Sequence, residues 1–286
     1  MEFLPLLQYS APVALAAMGE VITERGGIIN IGLEGSMLVA SYFAMLACYV
    51  THNPWIGLGA GVTGALVTTL LFGVFAIYLS ADQVVVGSAV NLLALGVTGT
   101  LFRSKFGQSG QLLSVPRIGG FHGVDPIMVF MLASAPLLWL LLRKTGWGLA
   151  VRACGEYPKA AEAAGFSVSR LRLQSLMVGG FYSGLAGSYL ALVIAGSFAE
   201  NMTAGRGFVA IAMVTFGRWK PQFALIAALL IGCAESLQYK FQTYGWKVPF
   251  QMMIALPYII ALIVLVLVGR GANAPGALAQ PYRKEK

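Results

Sequence analysis

Residues 22–38 read ITERGGIINIGLEGSML. Glu24, Arg25, Asn30, Glu34 and the glycines Gly26, Gly27, Gly32 and Gly35 all fall here, between two long apolar runs. A charged side chain at the bilayer centre costs at least about 2.5–3.5 kcal/mol on insertion scales. Glycine inside a helix costs about 1 kcal/mol relative to alanine. A helix that only has to span lipid has no use for either, so the stretch reads as a membrane helix that breaks where polar groups collect.

The rest of the chain supplies the membrane context. Of 286 residues, 58% are hydrophobic and only 10% charged, against about 25% charged in a soluble domain. Lipid, not a water-facing surface, suits that composition. Apolar candidate spans lie at about 4–22, 28–50, 55–79, 83–102, 126–142, 173–195, 204–217, 222–239 and 249–268. The expected fold is all-α: a polytopic helical membrane protein of about 8–9 transmembrane segments, some broken or half-crossing. It forms a single domain over residues 1–286. Small residues four apart, as in Gly57–Gly61 and Gly180–Gly184, let helices approach closely.

The net charge of +8 is unevenly placed. Arg143, Lys144, Arg152, Lys159, Arg170 and Arg172 share one segment, and Arg270, Arg283, Lys284 and Lys286 sit near the C-terminus. This is a positive-inside pattern. It puts 143–172, the GRWKP link (Gly217–Pro221) and the C-terminus on the cytoplasmic side, and nine crossings put the N-terminus outside. The 103–125 loop then faces outward despite Arg103, Lys105 and Arg117, against the charge rule. No nucleic-acid partner is expected, because Glu156 and Glu162 interrupt the basic segment and no aromatics interleave it.

Other chemistries find little support. Cys48, Cys154 and Cys233 form no pair of metal-ligand spacing. His52 and His122 have no nucleophile or second histidine nearby in sequence, so no catalytic or metal residues are assigned. The acidic start MEFLPLLQYS lacks a small-residue cleavage site and is not read as a cleaved signal peptide. No GxxxxGK[ST] phosphate loop is present, so no cofactor is expected in this chain. Asp82-Gln83 ends a short link before an apolar run and reads as a helix cap or a cytoplasmic contact, the cap being favoured.

Two segments depart from plain spans. GRGFVAIAMVTFG (Gly205–Gly217) is too short to cross unaided, and 28–50 begins in glycines. Each has an Arg-Gly pair at or just before its start, Arg25-Gly26 and Arg206-Gly207. Short Gly-interrupted segments in both halves mark broken helices beside a pathway; whether the two pairs also mark an internal repeat is open.

Glu20 and Glu24 share a helix face, Asn30 and Glu34 are four apart, Asn91 lies mid-segment, and Glu235 lies near the end of its span. These groups either tie helices together or line a polar path. An interhelical hydrogen bond averages only about 0.6 kcal/mol, small beside the insertion cost of a carboxylate. That difference favours a path for Glu34, with Asn30 and Asn91 as the other candidates.

The segment RKTGWGLAVRACGEYPKAAEAAGFSVSRLR (Arg143–Arg172) holds Pro158 followed by KAAEAAGF. Proline at a helix start, alanines within it and Gly165 at its end predict a short surface helix. It presents Glu162 and Phe166 to the cytoplasm, either as a solvated linker or as a docking element.

AAGFSVSRLRLQ (163–174) resembles the coupling loop of ABC-transporter permeases. GGIINIGLEGSMLVASYFA (26–44), ADQVVVGSAVNLLALGVTG (81–99) and GRGFVAIAMVTFGRWKP (205–221) resemble the branched-chain amino acid and simple-sugar permease superfamily, nearest the short permease subunit of nucleoside-type importers. The resemblance covers about 10–270, without the full EAA motif of maltose-type permeases. It implies a multi-pass subunit of the bacterial plasma (inner) membrane that imports nucleosides. Its partners would be a second, longer permease in a heterodimer, an ABC ATPase that carries ATP and Mg, and a lipid-anchored extracytoplasmic solute-binding protein. The 143–172 segment becomes the coupling loop, with Glu156, Lys159, Glu162, Gly165 and Phe166 facing the ATPase. A simple sugar or riboflavin-like solute remains the alternative cargo. A proton-coupled secondary transporter using Glu20, Glu24 and Glu34 is the alternative machine.

Overall fold

The computed structural model describes residues 3–107, 114–120, 123–243, 259 and 273–282. The described elements are all helices. Six are long and apolar enough to cross a membrane: α1 (Phe3–Arg25), α2 (Leu33–Thr51), α3 (Pro54–Gly73), α4 (Gln83–Phe106), α5 (Pro126–Lys144) and α8 (Val168–Tyr189). Between α5 and α8 lie α6 (Gly146–Glu156) and α7 (Pro158–Ala163); α9 (Arg206–Phe216) and α10 (Pro221–Thr243) follow α8. Short π-helical stretches, Val74–Tyr78 and Leu190–Ala195, prolong α3 and α8. The candidate span 249–268 apart from residue 259, Arg270, residues 283–286 and His122 lie outside the described residues.

Two boundaries differ from expectation. α2 starts at Leu33, not 28, because residues 26–32 form turns and irregular chain. The 143–172 segment holds two helices, not one, and α8 begins at Val168, not 173. The unexpected helix, α6, is capped by Thr145, whose Oγ1 accepts the Gly148 N–H at 3.0 Å. Its Ala150, Val151 and Cys154 bury against Val168 and Leu171 of α8. α7 is the predicted short helix: Pro158 occupies its first turn and Gly165, at φ +88°, stops it.

Local chemistry accounts for the other starts. Asp82 Oδ1 accepts from Val84 N–H at 2.9 Å and Val85 N–H at 3.0 Å, the predicted cap of α4. Asn53 and Asp125 cap α3 and α5, each followed by a proline.

Packing follows the small residues. A Cβ added at Gly57 or Gly61 would come within 2.7 Å of the Ala44 or Ala40 carbonyl oxygen of α2. One at Gly184 would come within 2.7 Å of Val62 Cα on α3. α1, α2 and α8 form the buried centre, and α1 also packs on α9 and α10. α4 turns Val85, Leu92 and Leu93 outward, as a lipid-facing helix requires.

Alternation of the helices divides the ends into two faces. The α1 C-terminus, α6, α7, the α9–α10 link and residues 273–282 share one face; Arg25 Nε, for example, donates to the Trp219 carbonyl at 3.0 Å. The α1 N-terminus meets residue 123 on the other, through Gln8 Nε2 and the Gly123 carbonyl. There Arg103, one of the charges at odds with the topology rule, pairs with Glu200 through Nε and Nη2 at 2.9 and 3.0 Å. Arg117 donates to the Ala195 carbonyl at 3.1 Å.

Candidate functional site

Residues 26–32 carry the chain from the end of α1 to the start of α2 without a helix, and their backbone groups cannot be left bare inside a membrane. Three side chains from other elements satisfy them. Gln83 Oε1 accepts the Ile29 N–H at 2.9 Å, and Glu20 Oε1 accepts the Asn30 N–H at 2.8 Å. Asn91 works both ways: its Nδ2 donates to the Ile31 carbonyl at 2.9 Å and its Oδ1 accepts the Gly35 N–H at 2.8 Å. Asn91 thus brackets the interruption.

Asn30 differs. It is wholly buried, and among the described residues neither Nδ2 nor Oδ1 of its side chain has a hydrogen-bond partner. It is the spare amide at the break.

Glu34, in the first turn of α2, reaches across to α9. Its Oε1 accepts the Gly205 N–H at 2.8 Å and its Oε2 the Gly207 N–H at 2.6 Å. A carboxylate on the free N–H groups of a helix start satisfies them and meets the positive end of the helix dipole. The contact needs glycine at 207, where an added Cβ would fall within 2.7 Å of the Glu34 backbone. α9 has 11 residues, about 16 Å at ~1.5 Å per residue, roughly half the ~30 Å hydrocarbon core. It therefore starts inside the protein and ends at Phe216, with Trp219 of the following link on the basic face. Both short segments are broken as predicted, and they meet at Glu34. The two Arg-Gly pairs are not equivalent, however: Arg25 ends α1 whereas Arg206 begins α9.

The other membrane carboxylates also have specific neighbours. Glu24 Oε2 accepts the Trp219 indole N–H, and Glu235 pairs with Arg206 at 3.7 Å. Among the aromatics, Tyr42 and Phe102 are buried and both pack on Phe198, with ring centres 5.3 and 5.2 Å away. Phe43 lines an apolar cavity of about 550 Å³ with Val39, Gly64, Val67 and Ala94.

On the basic face, the predicted coupling residues separate. Lys159, Gly165 and Phe166 are exposed. Glu156 and Glu162 turn toward residues 273–282: Glu156 Oε2 accepts the Gly276 N–H at 3.0 Å, and Glu162 Oε2 accepts the Tyr282 hydroxyl. A cavity of about 280 Å³ opens between Glu162, Phe166, Ser169 and Tyr282. Glu156 also lies 3.7 Å from Arg25 at the end of α1. Tyr282 escaped the sequence reading, and Gln83, read with Asp82 as a cap or cytoplasmic contact, instead supports the Ile29 N–H. Among the described residues no group of three or more His, Cys, Asp or Glu side chains fits a metal ion, and His52 is an exposed helix end.

A family model described as "Branched-chain amino acid transport system / permease component" matches residues 3–269. The guanosine ABC transporter permease protein NupQ of Bacillus subtilis is 34% identical, over 98% of this chain and 95% of its own. The "Putative glucose ABC transporter permease protein TsgC13" of Haloferax volcanii is 30% identical over 98% and 96%. The nucleoside ABC transporter permease protein NupC of Lactococcus lactis is 32% identical over 98% and 96%. A solved inward-facing structure of "a putative metal-chelate type ABC transporter" shares the fold, with a TM-score of 0.58 over 92% of this chain and 86% of that one at 15% identity.

Proposed function

The chain belongs to the permease family of branched-chain amino acid transport systems, and on that premise we propose that it is the membrane subunit of an ATP-driven importer of nucleosides. It is a multi-pass membrane protein and a transport component, not an enzyme. The observation that carries the nucleoside reading is the similarity, over nearly the whole chain, to permeases named for guanosine and for nucleosides. The relative named for glucose supports a simple sugar as the second reading. Both cargoes present hydroxyl groups that need hydrogen-bonding partners once they leave water.

In this reading the route runs past the break at residues 26–35. Asn30 offers its unpaired amide to the solute, while Glu34 and Asn91 hold the walls in place. α6 and α7 face an ATPase that binds ATP and Mg, through Glu156, Lys159, Glu162, Gly165 and Phe166. A second, longer permease completes the membrane unit as a heterodimer, and an extracytoplasmic binding protein delivers the solute. The setting is the bacterial plasma (inner) membrane, with the basic face and the C-terminus cytoplasmic.

The test is uptake of labelled adenosine and uridine against ribose, in vesicles that hold the whole assembly with and without internal ATP. Nucleoside uptake that needs ATP and survives collapse of the proton gradient is the expected result. Uptake that ignores ATP but stops with the gradient contradicts the reading and leaves a proton-coupled carrier. Preference for ribose replaces the cargo with a sugar.

A further inference from the structure

Residues 273–282 fold back over the basic face and join elements that are distant in sequence. The Ala277 N–H donates to the Gly155 carbonyl of α6 at 2.8 Å. Gly276 holds Glu156, Tyr282 holds Glu162, and Ser80 Oγ, just before α4, donates to the Tyr282 carbonyl at 3.5 Å. Beneath this strap lies Arg172, near the start of α8, with only 2% of its surface exposed. Its Nη1 donates to the Gln280 carbonyl at 2.9 Å and its Nη2 to the Ala277 carbonyl at 3.5 Å. Its guanidinium carbon lies 6.0 Å from the Tyr282 ring centre. Burying a guanidinium is costly unless fixed acceptors meet it, and here backbone carbonyls of the strap take Nη1 and Nη2, while Nε has no partner among the described residues.

The same guanidinium abuts the break in the membrane. Gly27 has φ +87°, and a Cβ added there would come within 3.0 Å of Arg172 Nη2, 3.3 Å of the Ala277 oxygen and 3.3 Å of Gly155 Cα. α6, α8, the strap and the start of the interruption therefore meet at one point, where a methyl group would push its neighbours by a few tenths of an ångström and the positive φ favours glycine. Asn30 lies three residues further along.

We propose that Arg172, clamped by residues 273–282, is the positioning residue that transmits displacement of α6 and α7 to the interruption at residues 26–32. This rests on the permease reading and adds the route by which the ATPase side reaches the solute side. The strap's bonds to Gly155, Glu156 and Glu162 make α6, α7 and the strap move together. Arg172 and Ala277 then bear directly on Gly27, whose close packing turns a small shift into movement of the chain that carries Asn30.

The experiment uses the full assembly in vesicles and measures ATP hydrolysed and nucleoside taken up in the same sample. The variants are Arg172→Gln and a chain ended after residue 272, which keeps Arg172 but removes its clamp. In both, the subunits are expected to co-purify and hydrolyse ATP within about twofold of the parent, while solute moved per ATP falls about tenfold, within the usual range for coupled sites. A parent-like ratio in an assembled variant overturns the proposal, as does a loss of hydrolysis in step with uptake, which marks a merely structural part. Should Arg172→Gln fail to assemble, the shortened chain decides by the same ratio. A parent assembly that hydrolyses ATP without moving any solute defeats the permease reading itself, before the variants are compared.

Discussion

The two broken helices reach the membrane interior by different means. The lead-in to α2 distributes its backbone groups over Gln83, Glu20 and Asn91, drawn from two helices. The start of α9 rests on a single carboxylate, Glu34, which takes two N–H groups at once. Shared support tolerates the loss of one member, whereas a lone ionic cap leaves two buried donors bare when it goes. Glu34 also stands in the first turn of α2, so the second break is anchored on the product of the first. The arrangement makes α9 the more fragile of the two and lets movement of the 26–35 segment carry the start of α9 with it.

Substitutions can break or sharpen that contrast. Glu34→Ala should cost most, about 3–5 kcal/mol, since two charge-assisted hydrogen bonds disappear from a buried place. Unfolding of the detergent-solubilised chain checks this, and a cost below that of Asn91→Ala would reverse the ranking. Asn91→Ala should cost about 2–4 kcal/mol, because the Ile31 carbonyl and the Gly35 N–H both lose their partner. Gln83→Ala frees only the Ile29 N–H and should cost about 1–2 kcal/mol; native-state hydrogen exchange should show faster opening at residue 29 than at residue 35. Asn30→Ala should change stability by less than about 0.5 kcal/mol, since its amide bonds to nothing among the described residues. A large melting shift in that variant would mean that Asn30 has a structural task instead.

Much of the architecture was legible because lipid imposes one rule: long apolar runs become helices. The break at 26–32 was visible in Gly26, Gly27, Asn30 and Gly32, residues with no advantage in an unbroken span. The 11-residue α9 was visible from its length alone. What stayed hidden depended on contacts distant in sequence. α6 is short and carries glycines in the turns at both ends, Gly146 and Gly148 at the start and Gly155 beside the final Glu156, and its apolar face makes sense only against Val168 and Leu171. Gln83 acquires its task from Ile29, 54 positions away. Arg172 read as one more topology-setting charge and is instead buried beneath the strap. The Arg-Gly pairs share letters but not local structure: they occupy one helix end and one helix start. Composition predicts what lipid demands, whereas the polar bracket is set by which helices become neighbours.

The most direct measurement is ATP-driven adenosine uptake by the complete assembly carrying Asn30→Ala, with ATP hydrolysis and melting followed in parallel. The account predicts uptake reduced about tenfold or more at low solute, the loss of one buried hydrogen bond to the cargo, with hydrolysis and melting unchanged. Uptake at the parent level in that variant would contradict the claim that the broken helix lines the route.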